Sequence, residues 1–268
     1  MKVIISHDVD HLTAWEHKSD LIIPKQTIRS LIELCLGYIS ISEITNRFSD
    51  ILKNKWHNLE SLMQFDRKNS IPSTFFIGTS NGKGLNYKTK DAEYWIKKIL
   101  KKGFDVGVHG IAFEKFNDIQ KEHIRFKNII GLEKFGIRMH YLRCDMDTLA
   151  FFSEVGYLYD TSIYEMKNPF KVGNLWEFPL HIMDGHVINK KVRWQNQNLK
   201  QSKETTRKII DEGFNKGIKY FTILFHDYFF SDSFKTWKEW YTWLIRYLKD
   251  NNIEFINYEG AIKELETS

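Results

Sequence analysis

The chain has 268 residues, of which 42% are hydrophobic and 15% aromatic, which is enough for one large α/β domain with a sizeable core. The formal net charge is +5 without a long run of like charges, so nucleic acid is not indicated as a partner. Two widely separated cysteines exclude a disulfide framework. The N-terminus lacks the apolar stretch of a secretory signal, and no stretch predicts a transmembrane span, so we expect a cytoplasmic protein.

The apolar pattern predicts strands and helices in alternation, which is typical of parallel β/α architecture. Val3 to Ile5 form a β-branched run that ends at polar residues, as buried strands do. Three apolar stripes at helical spacing predict helices between about residues 25 and 69. We then expect strands at 73–78, 104–108, 174–183, 221–225 and 253–256, a short segment at 136–142, and helices at 91–101, 117–133, 147–154, 203–216 and 235–249.

Polar residues recur at the ends of the predicted strands. These residues are Asp8, His109, His140, His181 and His226. In a β/α barrel the C-terminal ends of the strands meet on one face, where active sites lie. Several chemically active side chains at the same relative position are hard to explain by packing alone, so they predict a functional site on that face.

Five segments, taken in chain order, resemble the motifs of the polysaccharide deacetylases, the NodB-homology family also called carbohydrate esterase family 4. They are SHDVD (6–10), VGVHGIAF (106–113), GIRMHYL (136–142), WEFPLHIMD (176–184) and ILFHD (223–227). The resemblance implies one domain over residues 1–268, with the α/β fold of a distorted (β/α)7-8 barrel. Residues from about 12 to 70 would be a helical insertion after the first strand. The WbmS-like branch, from surface-polysaccharide loci, is the more similar subgroup.

The first two motifs imply a metal site next to a general base. By resemblance Asp8 is the base and Asp10 binds the metal, because water that attacks an acyl group needs a proton acceptor beside a Lewis acid. The family's second motif carries two histidines, but this chain has His109 followed by Phe113 at the second position. A zinc site usually takes three protein ligands.

The third ligand is therefore an open question in the sequence. His140, Glu114 and His181 are the candidates, and weak or absent metal binding is the alternative. We expect one divalent metal ion, Zn²⁺, held by Asp10, His109 and His140.

The remaining motifs imply the other catalytic groups. By resemblance Arg138 pairs with Asp8, and the backbone N–H of Tyr141 stabilises an oxyanion. His226 matches the family's general acid, whose role suits a group that titrates near neutrality. Asp227 follows directly and could orient that imidazole or cap the next helix.

Two segments are predicted to contact the substrate. Trp176, His181 and Asp184 lie where the family has an acidic motif that tunes the catalytic acid, and we assign them to substrate binding. The insertion leaves the first strand at the active-site face, so we expect it to cover that face as a lid, with packing beside the barrel as the alternative. Its candidate contacts are Trp15, His17, Trp56 and His57.

The function implied by the resemblance is metal-dependent removal of an acetyl group, an N-acetyl group in first place, from a sugar or glycan precursor. The substrate would be an acetylated amino sugar, a nucleotide sugar or a lipid-linked glycan in lipopolysaccharide or capsule biosynthesis. The alternative is a catalytically impaired, carbohydrate-binding barrel that lacks a functional metal site. A sugar-modifying enzyme of another reaction type is the third possibility, because fold alone does not decide function.

Overall fold

The computed structural model describes residues 1–267, and within them nine strands form a single sheet. The strands are β1 (Lys2–Val9), β2 (Thr74–Ile77), β3 (Asp105–Gly110), β4 (Gly136–Met139), β5 (Tyr159–Asp160), β6 (Phe170–Val172), β7 (Leu175–Glu177), β8 (Leu180–Met183) and β9 (Tyr220–Leu224). The helices are α1 (Ile22–Cys35), α2 (Ile41–Leu52), α3 (Leu59–Lys68), α4 (Thr89–Lys101), α5 (Phe116–Ile130), α6 (Met146–Val155), α7 (Asp184–Ile188), α8 (Leu199–Asn215), α9 (Lys235–Asp250) and α10 (Tyr258–Thr267).

The sheet curls strongly, as the predicted β/α barrel requires. Its strand order is β6-β7-β5-β4-β3-β2-β1-β9-β8, and every neighbouring pair is parallel except β6 with β7. β7 and β8 are the two halves of one bent segment, and they pair with β5 and with β9 respectively. The N–H of Leu180 also donates to the carbonyl of Ile163 at 2.7 Å. This segment therefore brings the two ends of the sheet together, and the expected α/β architecture is confirmed.

Strand alternation separates the two faces of β1. His7 points away from the barrel interior, because its ring reaches the carboxylate of Asp66 on α3 at 2.8 Å. Asp8 points the other way, toward Arg138 of β4. The barrel interior below them is filled by aromatic rings, among them Phe76 and Tyr258. Packing therefore occupies one end of the barrel, and the polar groups collect at the C-terminal ends of the strands.

The stretch between β1 and β2 is helical, as expected, and contains a short 3-10 helix (Ala14–His17) followed by α1, α2 and α3. Arg47 of α2 fixes it to the rest of the chain. The Arg47 guanidinium lies 2.5 Å from the carboxylate of Glu33 on α1 and donates to the carbonyl of Ser233 at 2.8 Å, with all three residues buried. A buried and paired charge of this kind fixes a geometry, because separating it would leave an uncompensated ion.

The C-terminal region differs from the expectation. The strand predicted at 253–256 is reduced to one bridge between Val3 and Phe255, and the chain continues into α10, which the sequence analysis did not predict. α10 closes the bottom of the barrel with the buried residues Tyr258, Ala261 and Ile262. Among residues 1–267, no helix is long and apolar enough to cross a bilayer.

Candidate functional site

A cavity of about 510 Å³ opens at the C-terminal ends of β1, β3, β4 and β9. Parallel strands of a barrel deliver their C-terminal side chains to one face, so residues far apart in sequence meet here. The polar residues on its wall that the motifs had singled out are Asp8, Asp10, His109, His140, Asp184 and His226. The structure thus brings residues of all five motifs to one cavity.

Asp10, His109 and His140 form a compact cluster in this cavity. The Oδ1 atom of Asp10 lies 3.0 Å from Nε2 of His109 and 3.3 Å from Nδ1 of His140. The two facing imidazole nitrogens lie 3.0 Å apart. Their ligand atoms are close enough to hold one metal ion. His140, from the end of β4, therefore stands where a third ligand is needed.

The outer hydrogen bonds of the two histidines decide which nitrogens face inward. Nδ1 of His109 lies 3.2 Å from the carbonyl of Arg138, and Nε2 of His140 lies 3.2 Å from the carbonyl of Lys83. A carbonyl only accepts, so each of these nitrogens carries the N–H. The inward nitrogens then present lone pairs to each other and to a carboxylate, which demands a cation or a shared proton between them. Carbonyl-oriented histidines are the usual support of a metal centre, so the donor set fits a zinc ion.

The charge state of Asp10 agrees with this arrangement. Burial acts to raise the pKa of Asp10, but His140, His109 and His226 together hold that pKa well below its usual range. The carboxylate therefore stays charged and is available as an anionic ligand over the physiological pH range.

Arg138 is fully buried beneath the cavity and holds Asp8. Its guanidinium donates to Oδ1 of Asp8 at 3.0 Å, to the hydroxyl of Ser6 at 2.8 Å and to the hydroxyl of Tyr258 at 3.0 Å. A further N–H donates to the carbonyl of Thr161 at 3.1 Å. This network fixes one carboxylate oxygen of Asp8. The other, Oδ2, lies on the side of the cavity histidines, 3.9 Å from Nδ1 of His109.

His226 is oriented by Asp184. Nδ1 of His226 lies 2.9 Å from Oδ1 of Asp184, and the backbone N–H of His226 donates to Oδ2 at 2.7 Å. Nε2 consequently faces the cluster, 3.7 Å from Oδ2 of Asp10. Burial would lower the pKa of His226, but the Asp184 carboxylate, with Asp10 and Asp8, raises it to about 10. The ring is therefore a protonated donor at neutral pH. Asp184, which the sequence predicts to bind substrate, holds this ring in place through both of its carboxylate oxygens.

Within residues 1–267 the Asp227 side chain is not hydrogen-bonded to this imidazole. Its Oδ2 accepts the backbone N–H of Asn58 at 2.9 Å, so it caps the start of α3. Burial raises the pKa of Asp227 well above its usual range. Of the two roles left open in the sequence, the structure supports the capping role, although the cap belongs to α3 and not to the helix that follows.

Tyr141 lies on the cavity wall in a strained backbone conformation. Its φ of 61° and the φ of 53° at Leu142 are both in the left-handed region, where non-glycine residues are uncommon. Such strain clusters at functional sites, where the surrounding structure over-determines the backbone. The oxyanion role of its N–H stays a prediction.

The structure does not bring His181 or Trp176 to the cavity. The His181 ring stacks on Phe221 and bonds Oγ1 of Thr222 at 3.1 Å and the carbonyl of Lys167 at 3.0 Å. A β-bulge between Leu180 and Ile182 shifts its strand out of regular alternation, so the histidine turns into the core. Trp176 packs at the lower aromatic cluster of the barrel. Both residues therefore lie away from the cavity where the sequence analysis expected them.

Two further candidates lie elsewhere. Phe113 and Glu114 line a neighbouring surface cavity, and the guanidinium of Arg143 lies 4.7 Å from the centre of the Phe113 ring. Neither Glu114 nor position 113 is therefore part of the Asp10, His109 and His140 cluster.

The insertion does reach the active-site face, but through residues that the sequence analysis did not name. The first half of α1 lines the cavity with Ile22, Lys25, Gln26 and Arg29. In the sequence these residues could be recognised only as the polar side of an amphipathic helix. Helical periodicity does not show which part of the protein that side contacts. None of the four named candidates lines the cavity. Trp15 is exposed, His17 and Trp56 pack around His11, and His57 packs on Trp95.

Comparison with known proteins supports the fold. No protein-family model and no curated protein matches the sequence. A solved structure from Mycobacterium smegmatis, provisionally described as a polysaccharide deacetylase, aligns with a TM-score of 0.68 at 14% identity, over 99% of this chain and 90% of its own. Puue allantoinase aligns with a TM-score of 0.58 at 11% identity, over 96% of this chain and 86% of its own.

A third match is WbmS from Bordetella bronchiseptica, provisionally described as a polysaccharide deacetylase involved in O-antigen biosynthesis. It has a TM-score of 0.45 and 13% identity, over 88% of this chain and 77% of its own. The Mycobacterium smegmatis match confirms the resemblance to polysaccharide deacetylases for the fold. The choice of the WbmS-like branch within it stays a prediction.

Proposed function

We propose that this protein is a metal-dependent hydrolase that removes an acetyl group, in first place an N-acetyl group, from a sugar. The observation that carries the proposal is the coincidence of three arrangements at one cavity. They are the Asp10, His109 and His140 cluster, the Asp8 carboxylate held by a buried arginine, and the His226 imidazole held by Asp184. A proton acceptor, a proton donor and a cation site are what amide hydrolysis requires.

The roles follow from the geometry of each group. Asp10, His109 and His140 would hold a zinc ion, which would supply Lewis acidity at the acyl carbonyl when bound. Asp8 accepts a proton as water forms the new C–O bond, because its second oxygen is not held by the arginine. His226 donates its Nε2 proton to the nitrogen as the C–N bond breaks, so acetate and a free amine leave. The Tyr141 N–H contributes to the oxyanion site.

We propose further that the substrate carries an anionic group. Lys25 and Arg29 of α1 line the cavity together with the amide of Gln26. Guanidinium and ammonium groups bind phosphate by charge-assisted hydrogen bonds. The diphosphate of a nucleotide sugar or of a lipid-linked glycan has the chemistry to meet them, and both belong to surface-polysaccharide precursors.

Acetate release from purified protein tests the proposal. Zinc-loaded protein is incubated with N-acetylated sugars in free, nucleotide-linked and lipid-diphosphate-linked forms, and acetate and free amine are measured. We expect turnover that Asp8→Asn lowers by about 100-fold or more, as is usual for loss of acid–base catalysis. Asp118→Asn removes an exposed carboxylate of α5 and serves as the control with unchanged turnover.

The alternative is a carbohydrate-binding barrel without a functional metal site, and the reason to consider it is that Phe113 replaces the family's second motif histidine. The position of His140 argues against this alternative, because its Nδ1 lies 3.0 Å from Nε2 of His109 and could replace the missing donor atom. Sugar binding without zinc uptake and without acetate release from any substrate form would establish the alternative and refute the hydrolase.

A further inference from the structure

A second cluster of metal-ligating side chains lies in the segment that joins β1 to α1. It consists of His11, Glu16 and His17, whose ligand atoms lie close enough to share one ion. We propose that this cluster binds a second divalent cation of the zinc class, beside the cavity and apart from the Asp10, His109 and His140 centre. The proposal does not depend on the hydrolase activity, since it concerns a site that none of the catalytic roles uses.

The orientation of His17 supports the inference. Nδ1 of His17 lies 2.8 Å from the carboxylate of Asp20, so the other nitrogen, Nε2, is left facing Glu16 Oε1 at 3.2 Å. A histidine whose outer nitrogen donates to a carboxylate is the usual support of a zinc ligand, since the carboxylate fixes the ring and increases its basicity. The His17 ring is 1% exposed, so this arrangement lies inside the protein.

One buried nitrogen of the cluster has no polar partner. Nδ1 of His11 is inaccessible to water and has no hydrogen-bond partner among residues 1–267. Nε2 of His17 is equally buried and has only the 3.2 Å ion-pair contact with Glu16, which does not meet hydrogen-bond geometry. A buried polar atom left unsatisfied carries a desolvation penalty, which a cation coordinated by both nitrogens would remove.

The surroundings hold the three donors in place. Glu16 accepts the backbone N–H groups of Leu12 and Thr13, each at 3.0 Å, so its carboxylate is fixed by the local chain. The ring of Trp56 lies 5.4 Å from that of His11 and 5.2 Å from that of His17, which shields the cluster on one side. The imidazoles of His11 and His17 and the carboxylate of Glu16 make a set of three zinc ligands. Such a set leaves a fourth coordination position for water or substrate.

One consequence of the second site rests on the proposed function: the ion would contact an anionic group of the same substrate. His11 follows the ligand Asp10 directly and lines the large cavity, so a cation bound by His11 adds positive charge to the cavity wall that also carries Lys25 and Arg29. This places an additional electrophilic contact for an anionic substrate group at the insertion, and it ties the 3-10 helix Ala14–His17 to the end of β1.

Zinc titration of the full chain tests the second site. Protein stripped with a chelator is loaded with Zn²⁺ alone, and bound zinc is measured by elemental analysis and calorimetry. We expect His17→Ala to bind one equivalent fewer than the parent chain and Glu16→Gln to bind that equivalent at least about 10-fold more weakly. His140→Ala should weaken binding of the other equivalent, and the double variant His140→Ala/His17→Ala should bind only that weakened equivalent.

His57→Ala is the matched control. His57 lies in the same insertion, is largely buried on Trp95 and has an Nδ1 without a hydrogen-bond partner within the described chain, but it belongs to neither ligand cluster. Its replacement should leave zinc binding unchanged. Glu16→Gln decides the matter where circular dichroism shows His17→Ala to be misfolded. A folded His17→Ala or Glu16→Gln protein with the parent's stoichiometry and affinity would overturn the proposal, whether or not acetate is released.

Discussion

Replacing His140 by alanine tests the centre of the proposed mechanism. The substitution removes the Nδ1 atom that lies 3.0 Å from Nε2 of His109 and 3.3 Å from Oδ1 of Asp10, so two of three protein donors remain. Even groups that only orient a ligand contribute 10- to 100-fold to metal affinity. We therefore expect the zinc dissociation constant to rise at least about 10- to 100-fold, which corresponds to about 1.4–2.7 kcal/mol.

The measurement is a competition titration against a chromophoric chelator. It is best made in the His17→Ala background, so that only the Asp10, His109 and His140 centre is observed. Phe113→His in that background is the matched control, because it restores a histidine at the position where the resembled family has one. Position 113 lines a separate cavity under Arg143, so we expect no gain in zinc affinity.

The opposite pattern would refute the reasoning. If His140→Ala left zinc affinity unchanged while Phe113→His increased it, the metal would be held by the second motif and not by the end of β4. A loss of sugar binding with intact zinc binding in His140→Ala would assign this histidine to the substrate instead.

Three further substitutions follow from the contacts of the site. Asp184→Asn should lower kcat by about 100-fold or more with little change in KM, and should move the alkaline limb of the pH–rate profile to lower pH, because the Asp184 carboxylate raises the pKa of His226. Arg138→Met should lower the free energy of unfolding by about 3–5 kcal/mol in urea titrations, since it leaves a buried carboxylate unpaired. Burial and Asp160 raise the pKa of Glu177, so the folded chain keeps a proton that the unfolded chain releases above its ordinary pKa of 4.5. Stability should therefore fall as pH rises above 4.5, by up to about 1.4 kcal/mol per pH unit. Glu177→Gln should reduce that fall because glutamine does not titrate, and its amide can still donate to Asp160.

The sequence predicts those site residues whose place follows from strand ends. Asp8 and Asp10 end β1, and His109 lies near the end of β3, so parallel pairing alone brings them together. The same logic fails for His181, because a bulge in β8 breaks the alternation that it assumes. Bulges depend on pairing partners, which a single sequence does not show.

Other parts of the site depend on tertiary contacts. α10 carries an apolar stripe of Tyr258, Ala261, Ile262 and Leu265 at helical spacing. This pattern could have predicted the helix that our sequence analysis missed. Its contribution to the site was not predictable, because the Tyr258 hydroxyl reaches Arg138 from the other end of the barrel. The position of α1 over the cavity likewise depends on how the insertion packs on the barrel. Helical periodicity predicts the helix but not its position.

Arg138 connects the two halves of the proposed chemistry. Its side chain holds Asp8, whereas its backbone carbonyl lies 3.2 Å from Nδ1 of His109 and fixes which nitrogen of that ring faces Asp10 and His140. His140 directly follows the end of β4. In the proposed chemistry this one stretch of chain therefore positions the base Asp8, orients the ligand His109 and provides the ligand His140. A side-chain substitution at 138 removes only the first of these contacts, because the carbonyl remains. A folded Arg138→Met protein should therefore lose base catalysis while keeping most of its zinc affinity, which separates the two functions that the geometry places on one residue.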